Sequence, residues 1–325
     1  MTYVVVVADR IGDDGMELMR KAPGLSVVVT VGNSERLTDA IGAAHALVVR
    51  SSTRVTDELM AQAPELKVVA RAGMGVDNID VAAATRRGIA VLNTPGANAI
   101  STAEHTFALL LSLLRRVPWA MQSVQRGEWR RQIFGGAELY RKTLSTLGLG
   151  RIGRHVVGIA RGFGMKVLAF DPYVSAERAA DLQADLVSLE VALSQADVVT
   201  LHLPLTPDTR FIVNGTTLAL MKPTAVLVNT ARGGLVDDAA LVTALDSGRL
   251  AGAALDVFAV EPLPTDSPLR SSDRVLLTPH LAASTAEAQA RVSLEICEAV
   301  HRALVSGDIS GAVNVVASPH SESGF

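Results

Sequence analysis

The stretch Gly148-Leu149-Gly150-Arg151-Ile152-Gly153 spells G-x-G-x-x-G, and its surroundings decide how the rest of the chain is read. A strand-like run at 144–147 precedes it. After it, Ile152, Val156, Ile159 and Phe163 share one face of a helix that Gly164 can close at its C′ position. In a strand–turn–helix of this kind the first two glycines allow a tight turn. They also let a pyrophosphate approach backbone N–H groups at the helix N-terminus, while Gly153 lets helix and strand pack closely. Gly148, Gly150, Ile152 and Gly153 are therefore predicted dinucleotide contacts. Arg151 joins them, its side chain either reaching the pyrophosphate or facing solvent. The next strand-like run ends at Asp171, 18 residues after Gly153, the reach of an acid that hydrogen-bonds ribose hydroxyls. A carboxylate there repels a 2′-phosphate, so NAD is expected rather than NADP.

Outward from this loop the pattern repeats. Short β-branched runs at 3–8, 26–31, 46–49, 67–70 and 89–92 alternate with helix-like stretches such as 15–21 and 56–63. A second series runs through 144–147, 166–170, 197–203, 225–229, 252–257 and 274–277. Such alternation predicts two doubly wound, parallel-sheet α/β domains. Between the series, Ser101 with Glu104 three residues on reads as a capping box. It would open a long helix that ends before Pro118. A helix-like stretch at 286–304 and a polar tail at 317–325 close the chain.

Composition agrees and excludes other classes. The 325 residues are 49% hydrophobic and 19% charged, too apolar for a disordered chain and long enough for two domains. Aromatic residues are only 4%, so the cores must be built from Val, Leu, Ile and Ala, as in sheets buried on both faces. Thirty Lys and Arg against 33 Asp and Glu leave a net charge of −3, with no broad basic footprint for nucleic acid or membrane. The single cysteine, Cys297, can form neither an internal disulfide nor a Cys-based zinc site, and reads as a buried, inert thiol. No metal site is expected. Residues 1–10 read as a strand rather than a leader, and the longest apolar run, 107–114, is too short for a bilayer, so a cytoplasmic location is expected.

Three ionisable residues follow three successive runs of the second series: Arg232 after 225–229, Glu261 after 252–257 and His280 after 274–277. Ligands of open parallel sheets bind beyond the carboxyl ends of the strands, where these side chains would converge. Arg offers a permanently charged fork for a carboxylate. His exchanges a proton near neutral pH, and a nearby Glu raises its pKa and fixes its orientation. Of the other histidines only His202 also sits at a strand end, where it reads as lining of the cofactor pocket.

The runs 148–153, 171–173, 229–237 and 254–258 with Glu261-Pro262, followed by 278–281, resemble in order those of the D-isomer-specific 2-hydroxyacid dehydrogenase family. The similarity extends from about residue 3 to Val315. The resemblance implies hydride transfer between NAD and a 2-hydroxy or 2-keto acid, with Arg232, Glu261 and His280 as the catalytic set. Pro204, Ala231 and Asp256 become further expected cofactor contacts. It also implies a Rossmann cofactor domain, 98–286, inserted into a discontinuous flavodoxin-like substrate domain, 1–97 with 287–325. A cleft between the domains and a homodimer around the cofactor domain are implied as well.

Residues 47–51, 70–78 and 127–139 look like the loops of the phosphoglycerate-oxidising branch of that family, in a short form without regulatory domains. Arg50 and Arg71 both follow strand-like runs of the first series, a suitable place for a doubly charged phosphate. Gly73, Met74 and Gly75 lie in a loop able to offer backbone N–H groups to a carboxylate. Arg131 is implied to reach a partner subunit's site. The expected reaction is NAD-dependent oxidation of D-3-phosphoglycerate to 3-phosphohydroxypyruvate, or its reverse. A glyoxylate or hydroxypyruvate reductase and an NAD(H)-sensing, corepressor-like binding protein are the alternatives. One departure stands out: Ser145 and Thr146 place hydroxyls in a buried strand where the family has Gly and an apolar residue.

Overall fold

The run Tyr3-Val4-Val5-Val6-Val7 forms a strand whose alternate side chains enter two different cores. Val5 and Val7 pack on one face of a sheet and Val6 on the other. A sheet buried on both faces needs such continuous apolar strands. The computed structural model describes residues 2–316, so the tail at 317–325 lies outside the described residues. The chain divides into two compact units, Met1–Asn98 with Ser284–Phe325, and Ala99–Ala283.

The first unit runs β1 (Tyr3–Val7), α1 (Asp13–Lys21), β2 (Leu25–Val29), α2 (Ser34–Ile41), β3 (Ala46–Val49), α3 (Asp57–Ala61), β4 (Val68–Arg71), α4 (Val81–Arg86) and β5 (Ala90–Asn93). Its five strands are all parallel, in the order β2-β1-β3-β4-β5. This is the flavodoxin-like order, whose switch point lies between β1 and β3. Asn33, Thr56 and Asp80 cap α2, α3 and α4 with their side chains. The helix Ala286–His301 belongs here too, burying Val292, Ile296 and Val300 in the same core as Val5. The chain then returns to β5, where Val313 N–H donates to Val91 O and Asn314 Oδ1 accepts from Val91 N–H, both at 2.8 Å.

The second unit opens with α5 (Ala99–Leu114) and α6 (Val117–Gln125), followed by β6 (Thr143–Leu147), α7 (Arg151–Gly162), β7 (Lys166–Phe170), α8 (Ala176–Asp181) and β8 (Asp185–Leu186). It continues with α9 (Leu189–Gln195), β9 (Val198–Leu201), α10 (Gly215–Leu218), β10 (Val226–Asn229), α11 (Asp238–Asp246), β11 (Gly252–Leu255) and β12 (Val275–Leu277); the last α-helix among the described residues is α12 (Ala286–His301). Seven parallel strands lie in the order β12-β11-β10-β9-β6-β7-β8. After β8 the chain crosses back over β6, so the switch point falls between β6 and β9.

One expectation is corrected. The long helix starts at Ala99, not after Ser101, because burial of Ala99 carries the helix two residues further back. Ser101 is therefore a buried first-turn residue rather than an N-cap. The helix does end before Pro118, which takes an N-terminal position of α6 after Arg116 adopts a left-handed φ of 52°.

Candidate active site

Loop 148–153 is shaped by close contacts that only glycine permits. Gly148 has φ 102°, and a Cβ on it would lie 2.7 Å from His202 O. A Cβ on Gly153 would lie 2.1 Å from Gly148 O. Gly150 differs: a Cβ there would meet nothing within 4 Å, so its side is open. It is also the N-cap of α7 and supplies no side-chain hydrogen bond, which leaves the helix N–H groups and dipole facing that opening. At the other end of α7, Gly164 N–H bonds Arg161 O and Met165 N–H bonds Ala160 O, closing the helix as its sequence predicts.

Register places the remaining cofactor candidates around this loop. Leu147 pairs with Phe170 and with Leu201, which sets Gly148 beside Asp171 on one flank and His202 on the other. One Asp171 oxygen accepts from Leu149 N–H and the other from Tyr173 N–H, each at 2.9 Å, leaving lone pairs on both. Both ring nitrogens of His202 are enclosed without a hydrogen-bond partner, and burial pushes its pKa down to about 3. It is a neutral imidazole. The Arg151 side chain is exposed and Ile152 half-buried, while Pro204 is exposed on the loop after β9. The two unusual hydroxyls of β6 behave differently. Thr146 donates to Gly148 O at 2.8 Å and so steadies the glycine loop, whereas Ser145 Oγ is buried with no partner.

Arg232, Glu261 and His280 follow β10, β11 and β12, three neighbouring strands. The buried Asn229 shapes the turn to Arg232: its side chain accepts from Ala231 N–H at 3.0 Å and donates to Arg232 O at 2.9 Å. The next residue, Gly233, is pressed on the loop that carries Glu261, since a Cβ on it would lie 1.9 Å from the Phe258 carbonyl carbon. Glu261 Oε2 lies 2.8 Å from His280 Nδ1, and its Oε1 accepts from Phe258 N–H at 3.0 Å. Partial burial raises the Glu261 pKa, but the hydrogen bonds from His280 and Phe258 outweigh it and hold the carboxyl below its ordinary value. An ionised Glu261 only accepts, so Nδ1 of His280 carries a proton and Nε2 is left for other chemistry. His280 itself is exposed and has a left-handed backbone, φ 56°.

Asp256, a further expected cofactor contact, directly follows β11. Its side chain is fully enclosed and accepts from His105 Nε2, the Thr278 hydroxyl, Leu281 N–H and Ala282 N–H. Three of these donors share Oδ1 and one takes Oδ2, so the carboxylate is held chiefly by its own unit. These bonds give the Asp256 side chain a structural role in its own unit. Burial raises its pKa, and these four hydrogen bonds more than reverse that, leaving it below the ordinary value. Ala231 is almost buried. Sequence reasoning missed His105 and Thr278, whose partners lie far along the chain; a polar residue inside the apolar helix was the only signal.

In the first unit Arg50 and Arg71 stand at the carboxyl ends of the adjacent strands β3 and β4, where Val49 pairs with Arg71. Asp9, at the switch point, accepts from Arg50 N–H at 2.6 Å and from Thr53 N–H and Oγ1. Asn78 donates to Arg50 O and Thr53 O. Gln289 Oε1 accepts from the Arg50 guanidinium at 3.2 Å. Arg71 folds over Gly73, whose φ of 145° is a backbone conformation that strains any residue with a side chain. Met74 and Gly75 are half-buried in the same loop, and Met74 O accepts from Asn93. Arg131 is exposed on a 3-10 turn, Arg131–Phe134, of the second unit.

Comparison with known proteins completes the picture. Residues 107–282 match the sequence model described as D-isomer specific 2-hydroxyacid dehydrogenase, NAD binding domain. The D-3-phosphoglycerate dehydrogenase of Synechocystis sp. is 45% identical over 311 residues, covering 96% of this chain and 56% of that protein. Its namesake in Bacillus subtilis is 44% identical over 321 residues, covering 98% and 60%. The chain thus spans little more than half the length of these curated relatives. Among solved structures, the TT0316 protein from Thermus thermophilus is 36% identical with a TM-score of 0.87, covering 96% of this chain and all of that one. With most of its second unit matched by one family description, the chain belongs to the D-isomer specific 2-hydroxyacid dehydrogenases.

Proposed function

We propose that the chain is an NAD-dependent oxidoreductase that interconverts D-3-phosphoglycerate and 3-phosphohydroxypyruvate. The observation that carries the chemistry is the 2.8 Å bond between His280 Nδ1 and Glu261 Oε2, which turns Nε2 into the proton-exchanging atom. In the oxidative direction neutral His280 takes the substrate's hydroxyl proton, and the Glu261 carboxylate stabilises the imidazolium that forms. Arg232 holds the substrate carboxylate through its fork.

The second unit is the cofactor domain of this proposal and the first unit the substrate domain. The residues present suit a dinucleotide: the open side of Gly150 at an uncapped helix N-terminus, spare lone pairs on Asp171, and unpartnered nitrogens on His202. NAD bound there supplies the hydride acceptor. Arg50 and Arg71, side by side at two strand ends, support a phosphorylated substrate, and the loop of Gly73, Met74 and Gly75 supports a carboxylate. A homodimer belongs to the same reading. Val117, Met121 and Val124 project from one face of α6 at helical spacing and are all more than half exposed, with Trp129 and Ile133 close by in the chain. A second copy of that face would cover them and bring Arg131 to its neighbour.

The deciding test is NADH oxidation followed spectrophotometrically with phosphohydroxypyruvate, hydroxypyruvate and glyoxylate. Preference for the phosphorylated acid is expected, and His280→Ala should abolish turnover while NADH still binds. Preference for an unphosphorylated acid would overturn the phosphate assignment. NADH binding without turnover across a broad 2-keto acid panel would instead indicate a sensor.

A further inference from the structure

His105 lies on α5, more than 100 residues before the strands that carry the acid–base pair, and the proposed chemistry does not use it. Its Nε2 is 3.2 Å from Asp256 Oδ1 and 3.5 Å from Thr278 Oγ1. The enclosed Asp256 carboxylate only accepts, so Nε2 carries a proton and donates to it. Thr278 donates its hydroxyl to the same oxygen at 2.6 Å.

Asp256 in turn grips three consecutive backbone amides. Its carbonyl oxygen accepts from His280 N–H at 2.8 Å, Oδ1 from Leu281 N–H at 2.8 Å and Oδ2 from Ala282 N–H at 2.9 Å. His280, with its left-handed φ of 56°, begins this segment. A non-glycine residue keeps such a backbone only where its surroundings over-determine it. The neighbouring Thr106 shows that α5 acts as a strut for more than one strand end. It donates to Thr102 O at 2.8 Å, so Thr230 Oγ1, also at 2.8 Å and two residues before Arg232, donates to it.

We propose that His105 is a positioning residue, which holds the Asp256 carboxylate in place so that Asp256 can clamp residues 280–282 and aim the His280 ring. The inference rests on the reading of His280 as the acid–base group. What it adds is a second histidine, acting through Asp256 and never touching substrate.

The test compares His105→Ala with His105→Gln, whose amide places a donor near the position of Nε2. Both are made in the full chain and first checked for native circular dichroism. With phosphohydroxypyruvate and NADH, His105→Ala is expected to lose about 10- to 100-fold in kcat, the effect of a misaimed group. KM and the NADH Kd should change by less than about threefold, since ground-state binding is untouched. His105→Gln should recover most of the loss. Hydrogen–deuterium exchange supplies a readout independent of turnover: amides 280–282 should exchange faster in His105→Ala and regain protection in His105→Gln. Unchanged kcat and exchange in His105→Ala would overturn the proposal, as would equal damage from both substitutions. If the parent chain reduces no 2-keto acid, the catalytic reading fails separately, and the exchange result alone decides whether the clamp exists.

Discussion

Ser145 and Thr146 are neighbours in a buried strand, and both replace residues that would raise no hydrogen-bonding question. Thr146 turns its hydroxyl to the Gly148 carbonyl at the start of the glycine loop, so its hydrogen-bonding need is met. Ser145 finds no such partner. A buried hydroxyl without a hydrogen bond costs on the order of 1 kcal/mol or more. Ser145→Ala should therefore stabilise the protein, raising the melting temperature by roughly 2–4 °C for a unit of this size. Thermal melting followed by circular dichroism checks it, and a lower melting temperature would show that the hydroxyl has a partner after all. The motif was legible in this strand, yet which hydroxyl is satisfied was not, since that depends on the direction each side chain takes after β6 is paired.

At the scale of the element, the β6–loop–α7 unit separates two uses of glycine that look alike in the sequence. Gly153 is a packing glycine, with the Gly148 carbonyl where its Cβ would be. Gly150 has open space on that side and an ordinary φ of −74°. Gly153→Ala is accordingly expected to cost about 1–3 kcal/mol, because backbone must move to admit the methyl group. Gly150→Ala should leave the melting temperature nearly unchanged and weaken NADH binding, its methyl group occupying the room a pyrophosphate needs. Thermal melting and fluorescence titration with NADH, run on both variants, distinguish the two roles. Equal losses of stability would refute the distinction. The fingerprint itself could be read from spacing, but the division of labour among its glycines is set by what lies across from each one.

At the scale of the whole molecule, the exposed face of α6 carries the assembly prediction. Apolar side chains scattered singly need no explanation, whereas Val117, Met121 and Val124 in a row on one helix do. Light scattering on the purified chain should give about twice the 34.1 kDa chain mass. Replacing Met121 and Val124 together by Glu should shift the species to the monomer mass, because charges cannot be buried in an apolar contact. A monomer in the parent protein, or an unaltered dimer in the variant, would remove α6 from the interface. Among the described residues no helix is long and apolar enough to cross a membrane.

What the amino-acid sequence determined by itself was local: the alternation of strands and helices, the glycine loop, the acid after the next strand, and the three ionisable residues after their strands. These follow from side-chain period, glycine's freedom and turn chemistry, all of which act over a few residues. The tertiary structure alone decided which strand ends became neighbours. That choice brought Asp9 to Arg50 across 41 positions and His105 to Asp256 across 151. It also enclosed the Asp256 carboxylate and both ring nitrogens of His202. Hydrogen-bond partners this distant are set by the order of strands in a sheet, and strand order depends on the burial of both faces at once rather than on any one segment.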